Sequence, residues 1–412
     1  MRVVHLTSEL PWPATRSGAL RTLSRLRLVS SLSEVDSITL VSVADRLVPR
    51  SELDALASAV PKLRPLPPVF HPSPPRPAPR HAVLRARGVP FVAARWASKP
   101  LQRALQSELD RAHVDVLYVD HLGMMCNLLE VKAQCAPAHT VLDPHNAEGD
   151  VLFPFATCDR GARKWIAAFE QRAAARFERR ALQSVDAVIA GSIEDARRYE
   201  DLAGTSVHIV PSVLQARPRP QPAPASRPPR FCWVGNLHWR PNVAGLDWFC
   251  RNVWPLLRAR LPEANFEIAS VPPSPDKVRT VVPDAWNVPG VRSLEIAGDL
   301  EPVLARSTAM LAPVIGGSGI RTKLLDGFRV GLPVVTTPDG ALGLSVKDGR
   351  ELLIGKTPEA FADKLVSAAT DEALRERLAV AGQSYLERRH SLEVVQGAMR
   401  AALGPSGFVV NR

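Results

Sequence analysis

VIGGSGIRTKLLDGFRVGLPVVTT, residues 314–337, decides the fold. An apolar run over 310–315 ends at Gly316, Gly317 and Gly319. A helix is expected over 322–330. Gly331 closes it and Pro333 follows, as at many helix C-termini. A second apolar run covers 333–337. Strand, glycine turn, helix and strand make a βαβ unit. Its turn lies at the carboxyl end of the first strand, where open α/β sheets bind ligands.

The turn has the chemistry of a phosphate site. Glycines let backbone N–H groups approach an anion, and a helix N-terminus adds partial positive charge. Arg321 and Lys323 supply full charges, one as a planar fork and one as a point. Asp326 lies three residues past Lys323, so both can share one helix face. Its carboxylate would repel phosphate but can accept from ribose hydroxyls. The unit therefore suggests a nucleoside diphosphate. A glycine-rich loop with merely solvated charges is the plain alternative, and glycines alone do not separate the two.

The segment resembles the donor-site region of the GT-B glycosyltransferases of family 4, retaining enzymes that use nucleotide sugars. Many members read Glu-Ala-Met-Ala-x-Gly-x-Pro-Val-Val. Here Asp326-Gly327-Phe328-Arg329-Val330-Gly331-Leu332-Pro333-Val334-Val335 matches that run. The preceding half is similar to a branch written Gly-Gly-Gly-Thr-Arg-x-Lys-x-Leu-Glu. Two departures stand out. The second family glutamate is Asp326, a methylene shorter, and the first aligns with Ser318, which is not acidic. In the family these carboxylates hold donor ribose and sugar hydroxyls, so donor contacts at Ser318 and Asp326 are altered.

The resemblance implies an α/β chain of the GT-B fold, two Rossmann-like domains facing across a cleft. The function it implies is retaining transfer of a sugar from a nucleoside-diphosphate sugar to an acceptor hydroxyl. No metal and no cofactor are implied, the nucleotide sugar being a co-substrate. Arg321, Lys323 and the Gly317–Gly319 N–H groups would stabilise the leaving diphosphate. A nucleotide-sugar epimerase stays open because it shares the fold, and a nonenzymatic nucleotide-binding scaffold because the first glutamate is missing.

Working outward, the chain restarts at 231–234 with an apolar strand. The turn Gly235-Asn236-Leu237-His238-Trp239-Arg240-Pro241-Asn242 follows, and then an amphipathic helix expected over 242–260. The family places a polar or basic diphosphate contact in this turn, which makes Asn236 and Arg240 candidates. Before it, QARPRPQPAPASRPPR at 215–230 alternates proline and reads as an extended linker. The expected domains are 1–214, an acceptor domain, and 231–390, the donor domain. A tail at 391–412 has a helix that the family would send back to the first domain.

The first domain opens with a strand over 3–7, a loop over 8–18 and a helix over 19–32, a Rossmann-like start without GxGxxG. Gly18 and Arg16 end that loop, which in the family faces the reaction centre; a plain turn is the alternative. Residues 65–80 are dense in proline and are expected to be irregular. Strands over 114–120 and 140–143 end in Asp120-His121 and Asp143-Pro144-His145-Asn146-Ala147-Glu148. A histidine there can bind a sugar or move a proton. His145-Asn146-Ala147-Glu148 fits a His-Asn-x-Glu run of the family, so the resemblance assigns His145 to the donor sugar. His121 reads as an ordinary structural histidine.

Composition bounds the partners. The chain has 412 residues, enough for two or three cores, with 46% apolar and 23% charged residues. Its net charge is +11, mostly arginine, yet aromatics are few and no nucleic-acid motif appears. Nucleic acid is disfavoured; an anionic substrate or peripheral contact with the inner membrane face is preferred. No long apolar run suggests a spanning helix. Five cysteines in no zinc spacing read as reduced thiols, which places the protein in the cytoplasm.

Overall fold

Short apolar runs alternating with helical stretches assemble into parallel sheets, because a parallel pair needs a crossover long enough to hold a helix. The computed structural model describes residues 1–14, 17–71, 79–132, 134–145, 162–217, 228–237, 240–270, 283, 286–296, 300–316 and 322–404. Contacts group the chain into two compact units. One combines Met1–Ser212 with Val395–Arg412, and the other is Val213–Val394.

The strands of the first unit are β1 (Arg2–Thr7), β2 (Ser37–Val41), β3 (Val43–Ala44), β4 (Leu63–Pro65), β5 (Val69–Phe70), β6 (Val116–Asp120), β7 (His139–Asp143), β8 (Ala187–Ala190) and β9 (Ser206–Ile209). Seven form one sheet in the order β4-β2-β1-β6-β7-β8-β9, and β3 pairs with β5. Every described pairing is parallel. The chain winds to one side of β1 and then resumes on the other with β6. The topological switch therefore lies between the carboxyl ends of β1 and β6, where Thr7 is in register with Asp120. Both faces of the sheet are covered, so Val4, Leu6, Leu117, Val119 and Leu142 are buried strand residues. The helix Lys99–Arg111 packs on it through Leu101, Leu105 and Leu109, one every turn, and Ser98 caps its N-terminus.

The second unit has β10 (Arg230–Gly235), β11 (Asn265–Ser270), β12 (Val291–Glu295), β13 (Ala309–Ala312), β14 (Val334–Thr336) and β15 (Leu353–Ile354). Their order is β12-β11-β10-β13-β14-β15, again parallel, with the switch between β10 and β13. An aromatic core of Phe231, Trp233, Phe249, Trp254, Phe266 and Phe361 lies under one face. The helices Pro358–Thr370 and Glu372–His390 belong to this unit. The last helix, Leu392–Leu403, carries its buried residues Val395, Met399, Ala402 and Leu403 into the first unit. There Arg400 Nε donates to Glu34 (2.8 Å), Gln396 to Ser31 Oγ (2.8 Å), and the ring of His139 bonds the Ala402 carbonyl (3.1 Å).

Two sequence expectations need correction. The helix over 242–260 is not continuous: Arg240–Trp248 and Trp254–Arg260 are joined by a π-helical turn, Phe249–Val253. Pro255 explains it, since its ring conflicts with the carbonyl one turn earlier and it lacks an N–H. The proline-dense stretch carries strand residues up to Pro65 and again at Val69–Phe70, both on sheet edges where proline is tolerated. After β14 comes a short helix, Pro338–Ala341, capped by Thr337. Cys126, Cys232 and Cys250 are buried free thiols, and no described helix is long and apolar enough to cross a membrane.

Candidate active site

The first unit gathers its polar residues at the β1/β6 switch. Asp120 ends β6 and Asp143 ends β7, directly opposite in register, and both are fully buried. The helix Ser17–Ser30 brings Arg21, Thr22 and Arg25 to them from one face. Arg21 donates to Asp143 Oδ1 at 2.6 Å, and Arg25 Nε to Oδ2 at 2.9 Å. Tyr118 OH adds a third bond to Asp143 at 3.0 Å. Arg25 also donates to the carbonyls of Val210 (2.7 Å) and Pro211 (3.2 Å). Burial alone would push the Asp143 carboxyl up; the two guanidinium groups outweigh it and hold it well below the usual carboxylate range.

Asp120 is held differently. Its Oδ1 pairs with His145 Nε2, and its Oδ2 accepts from the hydroxyls of Thr7 (3.1 Å) and Thr22. His5 Nε2 lies 3.5 Å from the same oxygen. Burial raises this carboxyl too, and the charge and hydrogen bond of His145 bring it far below its ordinary value. His145 sits at φ +70, a left-handed backbone uncommon outside glycine, and Arg21 donates to its carbonyl at 3.2 Å. One ligand atom each from Asp120, Asp143 and His145 falls within 4.8 Å. That spacing suits a cation, but Arg21 and Arg25 already bring positive charge to Asp143.

His121 is a neighbour in another role. Its Nδ1 accepts the Gly123 N–H at 3.0 Å, so it caps the turn Leu122–Met124. Burial, with His145 adding, pushes its pKa down to about 3. Gly18 does not close a loop as expected. It is the second residue of the helix Ser17–Ser30, and a Cβ there would meet the Glu9 carboxylate at 2.3 Å.

In the second unit the β10/β13 switch carries a cation. Lys323, near the start of the helix Thr322–Arg329, places Nζ 4.7 Å from the Trp233 ring centroid and donates to Asn242 Oδ1 at 2.6 Å. Asn242 Nδ2 in turn donates to the Asn236 carbonyl at 2.8 Å. Two glycines make this possible. A Cβ on Gly235 would lie 2.9 Å from the Trp233 ring, and one on Gly245 only 1.7 Å from the Pro313 carbonyl, so the helix that carries Asn242 can approach β13. The glycine turn begins at Gly316, φ +69, whose N–H is held by Asp339 Oδ2 at 2.7 Å. Asp326 shares the helix of Lys323, and burial pushes its carboxyl up, with Arg329 partly opposing.

Of the residues expected from sequence, His145 and Gly18 fall in the first unit, and Asn236, Lys323 and Asp326 in the second. Gly317, Ser318, Gly319, Arg321, Arg16 and Asn146–Glu148 lie outside the described residues, as does the side chain of Arg240. The sequence reading missed Arg21, Thr22, Arg25, Asp120, Asp143, Asn242 and Asp339 as members of these clusters. Two of them, Asp120 and Asp143, carried a usable signal: each is the last residue of a predicted buried strand.

Comparison with known proteins agrees with this fold. Residues 228–371 match the family described as glycosyl transferases group 1. Over nearly its whole length the chain is similar in fold to sucrose-phosphate synthase from Thermosynechococcus elongatus, with TM-score 0.67, 12% identity and 97% of each chain covered. It is also similar to Anabaena HepE, solved with UDP-glucose, with TM-score 0.60, 11% identity and 98% and 99% covered. A curated relative, an uncharacterized 44.6 kDa protein in the cps region of Klebsiella pneumoniae, is 22% identical over 166 residues; the match spans 40% of this chain and 43% of that protein. The two Rossmann-like parallel sheets give the chain the GT-B fold, and the group 1 match lies in the second unit.

Proposed function

We propose that the protein moves a sugar from a nucleoside-diphosphate sugar to an acceptor hydroxyl, with retention and without a metal ion. The observation that carries this is Lys323, an ammonium oriented by Trp233 and Asn242 at the switch point of the sheet inside the group 1 domain. A fixed cation at the carboxyl ends of parallel strands is what a leaving diphosphate requires. The UDP-glucose complex of HepE supports a nucleotide sugar as the donor class.

In this reading the bond between the anomeric carbon and the diphosphate oxygen breaks, and its electron pair leaves with the nucleotide. Lys323 and Arg321, with Arg240 and the Gly317–Gly319 N–H groups, stabilise that charge. Asp326, close behind on the same helix, accepts from ribose. The acceptor oxygen forms the new bond on the face the nucleotide leaves, and its proton passes to a donor phosphate oxygen. His145 binds the transferred sugar.

Titration calorimetry with UDP and GDP in excess chelator tests the reading. Binding is expected without metal, and Lys323→Ala should weaken it by roughly 1.5–3 kcal/mol, the range of one charge-assisted contact. Affinity that vanishes in chelator, or that Lys323→Ala leaves untouched, refutes the metal-free clamp.

A further inference from the structure

The function above gives His145 a place but leaves Asp120 unused. We propose that Asp120 is a positioning residue: it takes the Nε2 proton of His145 and so presents Nδ1 as the proton-accepting atom of the neutral ring. The proposal rests on reading His145 as the group that meets the sugar.

The geometry argues for it from three sides. Every described polar contact of Asp120 comes from a group able to donate: His145 Nε2 on Oδ1, the Thr7 and Thr22 hydroxyls on Oδ2, and His5 Nε2 at 3.5 Å. A buried carboxylate among donors is an acceptor, so the proton of that imidazole nitrogen belongs on Nε2. The second argument is rigidity. Asp120 ends a central strand hydrogen-bonded on both sides, to β1 and β7, so its side chain starts from a fixed backbone. Last, His145 is held at both ends, the ring by Asp120 and the carbonyl by Arg21, across a backbone at φ +70. A residue kept in so sparsely populated a conformation needs such over-determination. With Nε2–H committed, the neutral form of the ring accepts a hydrogen bond from a sugar hydroxyl and does not donate one.

The test has a spectroscopic arm and a kinetic arm. Long-range 1H–15N spectra of histidine-labelled protein, with His145 assigned by its loss in His145→Gln, should show the Nε2–H tautomer. Asp120→Ala should abolish that preference. A wild-type His145 in the Nδ1–H form overturns the proposal, as does an unchanged spectrum in folded Asp120→Ala. Turnover in Asp120→Ala should fall roughly 10- to 1000-fold at constant nucleotide affinity, and the double variant with His145→Ala should be no slower than His145→Ala alone. Additive losses would mean that Asp120 acts apart from His145 and sink the idea. If Asp120→Ala does not fold, the wild-type spectrum decides alone. Absence of transferase activity with every donor would instead count against the proposed function, and the tautomer result would stand apart from it.

Discussion

The two switch points share a topology and differ in chemistry. At β1/β6 the strand ends are filled by buried groups: Asp120 and Asp143 are bound by His145, Thr7, Thr22, Arg21, Arg25 and Tyr118. At β10/β13 the strand ends carry glycine turns, and one lysine is steered by an indole and an amide. The first arrangement fixes a side chain; the second holds a cation beside turn backbone, which the proposed function assigns to the diphosphate. Their difference shows that the same parallel sheet can be used either to orient or to receive.

Breaking the first network should cost most. Asp143→Ala leaves Arg25 buried without its carboxylate, and removing one partner of a buried ion pair costs about 3–5 kcal/mol. A loss of unfolding free energy in denaturant titrations well below that range would mean the network is not a structural anchor. Next, His145→Ala should lower turnover roughly 10- to 1000-fold while nucleotide affinity holds, because the residue belongs to one unit and Lys323 to the other. Parallel loss of binding and turnover would erase the distinction between the two regions. Titration gives a smaller effect. His121 ordinarily titrates near 6.5 but in the fold only at about 3. Between those values the unfolded chain binds a proton that the fold refuses, so stability is full above pH 6.5 and falls as pH drops, by at most about 1.4 kcal/mol per unit. Melting curves from pH 7 to 5 should therefore slope less in His121→Gln. The smallest change is at the other switch: Asn242→Ala frees Lys323 from one hydrogen bond and should weaken nucleotide binding by about 0.5–1.5 kcal/mol, read by calorimetry.

The fold was largely legible because each signal is local. The alternation of apolar runs with helices required parallel sheets, and the run at 314–337 named the unit with the turn. The helix break at Phe249–Val253 was not anticipated, although Pro255 was in plain view, because apolar spacing outweighed one ring. The site was half legible. Lys323 and Asp326 stand in a contiguous motif, and His145 in a short run. Asn242 reads only as the start of an expected helix, and nothing in its surroundings tells that its amide bridges Asn236 and Lys323, which lies 81 residues later. The Asp120 cluster joins residues near 5, 22, 120 and 145, and such pairings follow from sheet order, which periodicity does not encode.

The helix Leu392–Leu403 has a consequence for how the protein is made. The first unit is interrupted by the whole of Val213–Val394 and is completed only by what comes after. Domains generally fold as they leave the ribosome, at about 5–20 residues per second. An early first unit thus waits roughly ten to forty seconds for Val395, Met399 and Arg400, and their seat stays uncovered in the meantime. Nascent chains stalled just after the second unit should offer that seat to holdase chaperones, and chains released with the helix should not.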